Sequence, residues 1–248
     1  MAAKRVCFIV DGGFVRKRFK FLSPSTLFSG PFLLDYCRKH LRQDEELLRV
    51  FFYDAEPFSQ KLLHPLTDMT IDYSQTTVAK EAHALFESLR KTPHVVLRLG
   101  FLTWNRRWKA SWDNTVKPIL MGTRDLAANP LVPSEKRGIA PELTQKAVDV
   151  YLGLDIASIS IRKTADVLVI LAGDSDIAPV VRCAREEGLQ VRLDSLWQNI
   201  RPELEQELDE VVTFTCKPAL VHPGARPGRL TRDEDGEYPC GTTGPAKP

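Results

Sequence analysis

Four short apolar runs, each ended by a polar or glycine residue, limit most strongly how this chain can fold. They cover residues 6–10, 48–53, 95–99 and 167–172, and a weaker, alternating run covers residues 190–193. Uninterrupted apolar runs of this length are typical of strands that are buried on both faces of a parallel sheet. The sequence therefore predicts a parallel sheet built from these strands.

Helical periodicity fills the intervals between the apolar runs. The predicted helices cover residues 31–41, 77–91, 143–161, 176–187 and 201–208. Strands that alternate with helices favour a parallel sheet that is covered on both faces. We predict an α/β domain with three layers, α/β/α, around a central parallel sheet, and we expect it to extend over residues 4–214.

Two segments depart from this pattern. Residues 103–141 are punctuated by Pro and Gly and are rich in Trp, Arg and Lys, and a loop of this length inside a domain is usually functional or mobile. Residues 217–248 contain many Pro, Gly and charged residues and almost no apolar periodicity. We expect this second segment to be a disordered tail.

The composition argues against several classes of protein. No apolar run approaches the ~20 residues that a membrane helix needs, and residues 6–10 are too few for the core of a signal peptide. The five cysteines are odd in number and widely spaced, with no Cys-x-x-Cys pair. This spacing supports neither a disulfide framework nor a structural zinc site. We expect a reduced, cytoplasmic protein with no membrane association.

Carboxylates follow three of the predicted strands. Asp11 comes directly after the first apolar run, Asp54 after the second, and Asp174 and Asp176 after the fourth. In open parallel sheets, sites form beyond the carboxyl ends of the strands. The sequence therefore predicts an acidic cluster at this edge of the sheet.

The helix predicted over residues 143–161 brings further acids toward the same edge. Asp149 falls about two turns from a start near Pro141, roughly 10 Å along the axis, on a face that it shares with Lys146. Asp155 lies another ~9 Å along and is turned by about 120° from Asp149. We expect Asp149 to reach the cluster and Asp155 to lie outside it.

A cluster of carboxylates has a chemical consequence. Closely packed carboxylates repel one another, and the pKa of some rises unless a cation is bound between them. Ligand sets made of oxygen alone suit Mg²⁺ or Mn²⁺, and such ions activate water and hold the oxygens of a phosphodiester. The predicted metal-binding and catalytic residues are Asp11, Asp149, Asp174 and Asp176, and the predicted supporting residues are Asp54, Asp155, Lys146 and Ser175.

Each acid also has a structural interpretation. Asp174 or Asp176 could cap the helix that follows, and Asp11 could form the turn at Gly12-Gly13. Metal binding is favoured over these structural roles because all four acids are predicted to meet at one edge of the sheet.

Three motifs resemble the NYN domain family, which is related to the PIN-like nucleases. They are the strand and acid at residues 6–14, the segment Lys-Ala-Val-Asp-Val at 146–150 with Asp155-Ile156, and Gly-Asp-Ser-Asp-Ile-Ala-Pro at 173–179. The resemblance implies a PIN-like fold, an acidic Mg²⁺ or Mn²⁺ site and cleavage of RNA. Many relatives carry Asn three residues after the first Asp, where this chain has Phe14.

Two basic and aromatic segments are candidates for binding single-stranded RNA. Cations contact phosphates, and aromatic rings stack on bases. The first segment follows Asp11, and the second lies in the predicted loop. The predicted nucleic-acid-binding residues are Arg16, Lys17, Arg18, Arg106, Arg107, Trp108 and Lys109. A solvated basic face with its rings turned inward is the alternative for each segment.

Other enzyme classes are not supported. A haloacid-dehalogenase-like phosphatase needs a second Asp where Gly13 stands, and a response-regulator receiver needs an acid pair beside Asp11 in a chain about half as long. A dinucleotide-binding domain needs Gly-x-Gly-x-x-Gly after the first strand. The alternative that remains is an RNA- or protein-binding module of the same fold without turnover. A homo-oligomer or a protein partner is compatible with the sequence.

Overall fold

The apolar run that opens the chain forms the central strand of the sheet, β1 (Lys4–Asp11), in which residues 6–10 are at most 1% exposed. The computed structural model describes residues 2–65, 69–110, 121–122 and 139–215, so the predicted tail at 217–248 lies outside the described residues. Strand β1 pairs in parallel with β2 (Glu45–Ala55) on one side. On its other side it pairs in parallel with β7 (Val167–Leu171).

The described residues divide into two compact units. Of the described residues, the first unit contains 2–54, 87–98 and 149–215, and the second contains 55–65, 69–86, 99–110, 121–122 and 139–148. In the first unit, β7 is followed in parallel by β8 (Gln190–Asp194) and β9 (Glu210–Val211). Its helices are α1 (Gly12–Leu22), α2 (Gly30–Lys39), α4 (Val148–Ile161), α5 (Ala178–Glu186) and the short α6 (Pro202–Glu205).

The second unit contains two antiparallel pairs of strands. Strands β3 (Lys61–Leu63) and β4 (Thr70–Asp72) form one pair. The other pair is formed by the second half of β5 (Val95–Ala110) with β6 (Ile139–Lys146). Helix α3 (Thr77–Lys91), like β5, contributes residues to both units.

The sheet confirms the predicted fold class. Its seven strands have the order β6-β5-β2-β1-β7-β8-β9, and all four strand pairs along β2-β1-β7-β8-β9 are parallel. Helices flank this mostly parallel sheet, as expected for a three-layer α/β/α fold. All five predicted strands are present, and α3 has the predicted bounds. None of the described helices is both long and apolar enough to cross a membrane.

The described residues at both ends of the segment 103–147 were predicted incorrectly, and residues 111–120 and 123–138 of the predicted loop lie outside the described residues. Both ends of the predicted loop are strands, because β5 continues to Ala110 and β6 begins at Ile139. The predicted helix over 143–161 begins only at Val148, after Ala147 has turned the backbone with a φ of 70°. Leu143 and Ala147 are spaced as on one face of a helix, but the pairing of β6 with β5 makes residues 139–146 a strand.

Helix α1 was not predicted, because its first two residues are Gly12 and Gly13, which have low helix propensity. The helix begins directly after Asp11, whose side chain caps it. Gly12 is required by close packing: a Cβ atom there would lie 2.5 Å from Phe52 Cε1 and 2.6 Å from the Tyr53 carbonyl oxygen. The turn from β1 into α1 therefore brings the helix backbone against β2.

This close approach predicts a large effect of Gly12→Ala. We expect the variant to lower the free energy of unfolding by about 1–3 kcal/mol, the usual cost of overpacking. Gly153→Ala in α4 is the matched control, since a Cβ there meets nothing within 4 Å and Ala in a helix gains about 0.5–1 kcal/mol over Gly. Urea denaturation measures both changes, and equal stability of the two variants would contradict the packing argument.

Candidate functional site

Asp11 lies where β1 ends and α1 begins. Its Oδ1 accepts a hydrogen bond of 3.0 Å from the Phe14 amide, which makes Asp11 the N-cap of α1. The pKa of Asp11 is raised, first by burial and then by the carboxylates of Asp149 and Asp174, although the Phe14 and Gly13 amides act in the opposite direction. Two further acids therefore act electrostatically on the carboxylate that ends the central strand.

Asp174 reaches this position from the loop after β7. Its Oδ1 accepts a hydrogen bond of 3.1 Å from the Asp176 amide and caps a single 3₁₀ turn (Ser175–Ile177), which leads into α5. Asp174 and Asp176 are both exposed, and Ser175 is half-buried. Asp174 therefore has the capping role that was the structural alternative for this residue. The cap uses Oδ1, so the second oxygen of the carboxylate takes no part in it.

Asp149 comes from the first turn of α4. The prediction placed it two turns into its helix, which was wrong because the helix begins five residues later than expected. A carboxylate in the first turn is favoured by the helix dipole. The side chain is exposed, and its effect on the pKa of Asp11 gives the electrostatic link between α4 and β1.

Two other acids in the first unit are bound to cations. Asp54, near the end of β2, is only 4% exposed, and its Oδ2 lies 3.0 Å from an Arg16 nitrogen. Asp155 accepts hydrogen bonds from the Tyr53 hydroxyl at 3.0 Å and from Arg98 Nε at 3.1 Å. Both acids were expected to support the cluster, and each has a local partner that holds it.

Lys146 was expected to share a helix face with Asp149, and the structure contradicts this prediction. It is the last residue of β6 and pairs with Phe101 across the strands of the second unit. This prediction was wrong because it depended on a helix that starts before Lys146. The helix begins only at Val148, so Lys146 and Asp149 do not lie on one helix.

A model of the NYN domain matches residues 67–215, which is more than half of the chain. The chain belongs to the NYN domain family. The family places it among the PIN-like nucleases, which generally bind RNA and depend on divalent metal ions. The matched range includes Asp149, Asp174 and Asp176, whereas Asp11 lies before it.

Two further comparisons add little to this assignment. No curated protein matches the chain. Among solved structures, a protein of unknown function from Vibrio parahaemolyticus is similar over 86% of this chain and 93% of its own, with 13% identity and a TM-score of 0.44.

The NYN motif around Asp174 is held in place by two side chains. The backbone of Gly173 packs so closely on the Phe14 ring that a Cβ there would lie 2.5 Å from Phe14 Cε2. Gln198 Nε2 donates a hydrogen bond of 3.2 Å to the Gly173 carbonyl oxygen. Phe14, which stands where many relatives have Asn, thus supports the loop that carries Asp174.

Sequence reasoning missed a further acid at this edge, Asp194, which ends β8. It is completely buried and accepts hydrogen bonds from the Tyr36 hydroxyl at 2.5 Å, the Thr213 hydroxyl at 2.8 Å and the Leu196 amide at 2.8 Å. His40 Nε2 lies 3.1 Å from its Oδ2. The rule that located Asp11 and Asp174, an acid directly after an apolar run, would also have found Asp194.

The basic residues of α1 in this NYN domain differ in their contacts. Arg16 is bound to Asp54 and to the Gly12 carbonyl oxygen. Arg18 donates to the Leu196 carbonyl oxygen, and its guanidinium lies 5.4 Å from the centre of the Phe21 ring. Lys17 is exposed. The two arginines therefore have contacts within the fold that the sequence did not reveal.

The basic residues of the second unit lie on β5. Arg106, Arg107 and Lys109 are exposed, and none of them forms an ion pair with another described residue. Trp108 is half-buried, with its ring 5.5 Å from that of His64 and 6.1 Å from that of Trp104. These four residues were predicted to lie in a loop and instead belong to a strand.

The carboxylates of the candidate site are oxygen ligands of the kind that a divalent cation prefers, but their positions do not form a ready metal site. Within the part of the chain that the structure describes, no group of three or more His, Cys, Asp and Glu side chains is arranged so that it could hold a metal ion. Mg²⁺, however, is usually held by only one or two carboxylates together with water and substrate phosphates. Two carboxylates are therefore sufficient in number for such a site.

Proposed function

We propose that this NYN protein is a Mg²⁺- or Mn²⁺-dependent ribonuclease that hydrolyses phosphodiester bonds of single-stranded RNA in the cytoplasm. The observation that carries the proposal is that Asp11 and the loop of Asp174 follow the neighbouring parallel strands β1 and β7, and the pKa of Asp11, raised mainly by burial, is raised further by Asp149 and Asp174. Carboxylates that repel one another in this way favour a bound cation. The proposed domain extends over residues 4–214, so that it includes β1 and Asp11.

Each proposed site residue has a separate task. Asp11 with Asp149 or Asp174 would hold the ion together with water and the phosphates of the substrate, and Asp176 would complete the acidic edge from the turn that Asp174 caps. The bound ion lowers the pKa of water and neutralises charge on the phosphodiester. Arg16, on the helix that Asp11 caps, contacts the Gly12 carbonyl oxygen and Asp54 and would pair with a backbone phosphate of the substrate.

Cleavage of a labelled single-stranded RNA tests this proposal. Wild-type protein is expected to cleave in Mn²⁺ and to stop when EDTA is added, and Asp174→Asn and Asp176→Asn are expected to cleave far more slowly. Asp166→Asn is the control, because Asp166 pairs with Arg5 at a surface site. Equal cleavage by the wild type and both site variants would show that a contaminant is responsible and would overturn the proposal.

The second unit is proposed to contribute affinity for RNA. We expect the double change Arg107→Ala and Lys109→Ala to weaken binding and to reduce the slope of log K against log salt by about 1.4, since each phosphate contact to a single strand contributes about 0.7. Binding at several salt concentrations measures this slope. The matched control is Arg226→Ala with Arg229→Ala in the tail, and an equal effect of the two double variants would contradict the assignment.

A second candidate function is an RNA- or protein-binding NYN module without turnover. It is favoured by one observation, that the described acids form no ready-made group of three metal ligands. Thermal stability distinguishes the two candidates. A metal-binding site predicts that Mn²⁺ raises the melting temperature of the wild type and not of Asp174→Asn, whereas a module without the metal gives the same melting temperature with and without Mn²⁺.

A further inference from the structure

A cavity of about 440 Å³ lies in the second unit of the protein, lined by Gln60, Phe101, Leu102, Thr103, Trp104 and Arg106. Its volume lies within the ~300–1,000 Å³ of small-molecule sites. Five of its six residues come from β5, so the strand itself forms most of the cavity wall. It involves none of the acids that are proposed to bind the metal.

The aromatic residues of this cavity have the properties of a stacking surface. Phe101 is 55% exposed, so its ring is accessible from solvent. Trp104 is fixed, because its Nε1 donates a hydrogen bond of 3.1 Å to the Arg107 carbonyl oxygen and its ring packs edge-on against Trp108. These contacts of Trp104 fix the strand that forms the cavity wall.

The backbone of β5 explains why a cation lies beside these rings. Pairing with β6 is interrupted between Trp104 and Trp108, and Arg106 adopts a left-handed φ of 57° inside this bulge. Bulges redirect side chains that a regular strand would alternate between two faces. Arg106 therefore lines the cavity, while Arg107 and Lys109 continue the positive charge along the same strand.

We propose that this cavity binds one nucleobase of a single-stranded RNA. The base would stack on the ring of Phe101, and Thr103, which shares its face of the strand, and Gln60 provide a hydroxyl and an amide for the polar edge of the base. Arg106 would contact the adjoining phosphate. The run of positive charge on β5 complements a phosphate backbone and selects RNA over an uncharged apolar ligand. This inference rests on the proposed function and identifies where its substrate is held.

Binding to two oligonucleotides of ten residues tests the proposal, with EDTA present so that no metal-dependent cleavage occurs. One is oligo-U, and the other has the same ribose-phosphate backbone without bases. The wild type is expected to bind oligo-U at least about tenfold more tightly, since a stacked base contributes a factor of this order or more. Phe101→Ala should lose about tenfold for oligo-U and nothing for the abasic strand, and Phe101→Tyr should retain the affinity. Arg106→Ala should weaken both.

The control is Leu63→Ala on β3, an exposed apolar residue of the same unit that does not line the cavity. It should bind both strands as the wild type does. Equal affinity of the wild type for the two strands, or unchanged oligo-U affinity of Phe101→Ala, would overturn the proposal. If Phe101→Ala weakens binding while Asp174→Asn still cleaves RNA, the nuclease proposal fails and the base site stands. If Phe101→Ala leaves RNA binding unchanged while Asp174→Asn no longer cleaves RNA, the proposal of a base site fails and the nuclease proposal stands.

Discussion

Asp11→Asn is expected to lower Mn²⁺-dependent RNA cleavage at least about a hundredfold and, without metal, to raise the melting temperature by a few degrees. The loss of cleavage follows from removal of a carboxylate from the proposed metal site. Changes to residues that only support a metal ligand already cost about 10–100-fold, so loss of a ligand should cost at least as much. The variant therefore tests activity and stability at one position.

The gain in stability follows from the electrostatics of the acidic edge. Burial and the carboxylates of Asp149 and Asp174 raise the pKa of Asp11, which means that the folded protein disfavours its charged form. Above that raised pKa the charge costs stability, and Asn removes the charge. Asn also keeps the cap of α1, because its side-chain oxygen can accept from the Phe14 amide as Asp11 does.

Two comparisons make this expectation specific. Asp11→Ala also removes the charge but loses the cap, at a cost of about 1 kcal/mol, so it should melt below Asp11→Asn. Mn²⁺ should reverse the order of wild type and Asp11→Asn, because only the wild type gains from binding the ion. Thermal melts at neutral pH, with Mn²⁺ and with EDTA, measure these differences. A metal-free Asp11→Asn that melts below the wild type would contradict the account of charge repulsion.

Asp194→Ala is expected to lower the free energy of unfolding by about 3–5 kcal/mol, as does removal of one partner from other buried charged networks. The carboxylate is completely buried, and its removal leaves the Tyr36 and Thr213 hydroxyls and the Leu196 amide without their acceptor. Each buried donor that loses its partner costs about 1–3 kcal/mol. Burial and then the charge of Asp194 raise the pKa of Tyr36, which keeps its hydroxyl a donor.

Urea denaturation measures the effect of Asp194→Ala against two controls. Tyr36→Phe removes a single donor and should cost about 1.5–3 kcal/mol, the range for a hydrogen bond to a charged group. Asp166→Ala removes an acid of a surface pair, for which the usual contribution is below about 1 kcal/mol. If Asp194→Ala were no more destabilising than Asp166→Ala, the buried network would not hold the fold together.

The Asp194 network also connects to the loop that carries Asp174. Asp194 holds the Leu196 amide, the Leu196 carbonyl oxygen accepts from Arg18, and Gln198 of the same turn donates to the Gly173 carbonyl oxygen. This turn therefore joins a buried acid at the end of β8 to the candidate site through short hydrogen bonds. Sequence reasoning did not identify these contacts, and two of them, from Arg18 to Leu196 and from Gln198 to Gly173, join residues that are far apart along the chain.

The strands and the acids that follow them could be predicted because their signals are local. A buried strand of five residues needs a run of apolar side chains, and the chain must leave the sheet where that run ends. This reasoning located β1, β2, β7 and β8, and it placed Asp11 and Asp174 at strand ends. The capping roles of both acids are equally local, because Asp accepts from a backbone amide two or three residues ahead.

The start of α4 shows where local signals are insufficient. Residues 143–147 fit a helical pattern, and Asp149 was therefore placed two turns into a helix. Pairing with β5 instead places residues 143–146 in β6, and Ala147 turns the backbone after it. Asp149 consequently lies in the first turn of its helix.

The sequence by itself determined that this chain forms a mostly parallel sheet with carboxylates at the carboxyl ends of its strands. Only the tertiary structure decided how each charge is used. It paired Arg16 with Asp54 and Arg98 with Asp155. It also placed four polar groups around Asp194 and brought Asp149 and Asp174 near enough to raise the pKa of Asp11. The reason is physical: the apolar pattern of a strand is set by its own residues, whereas a charge finds its partner among residues that folding brings near.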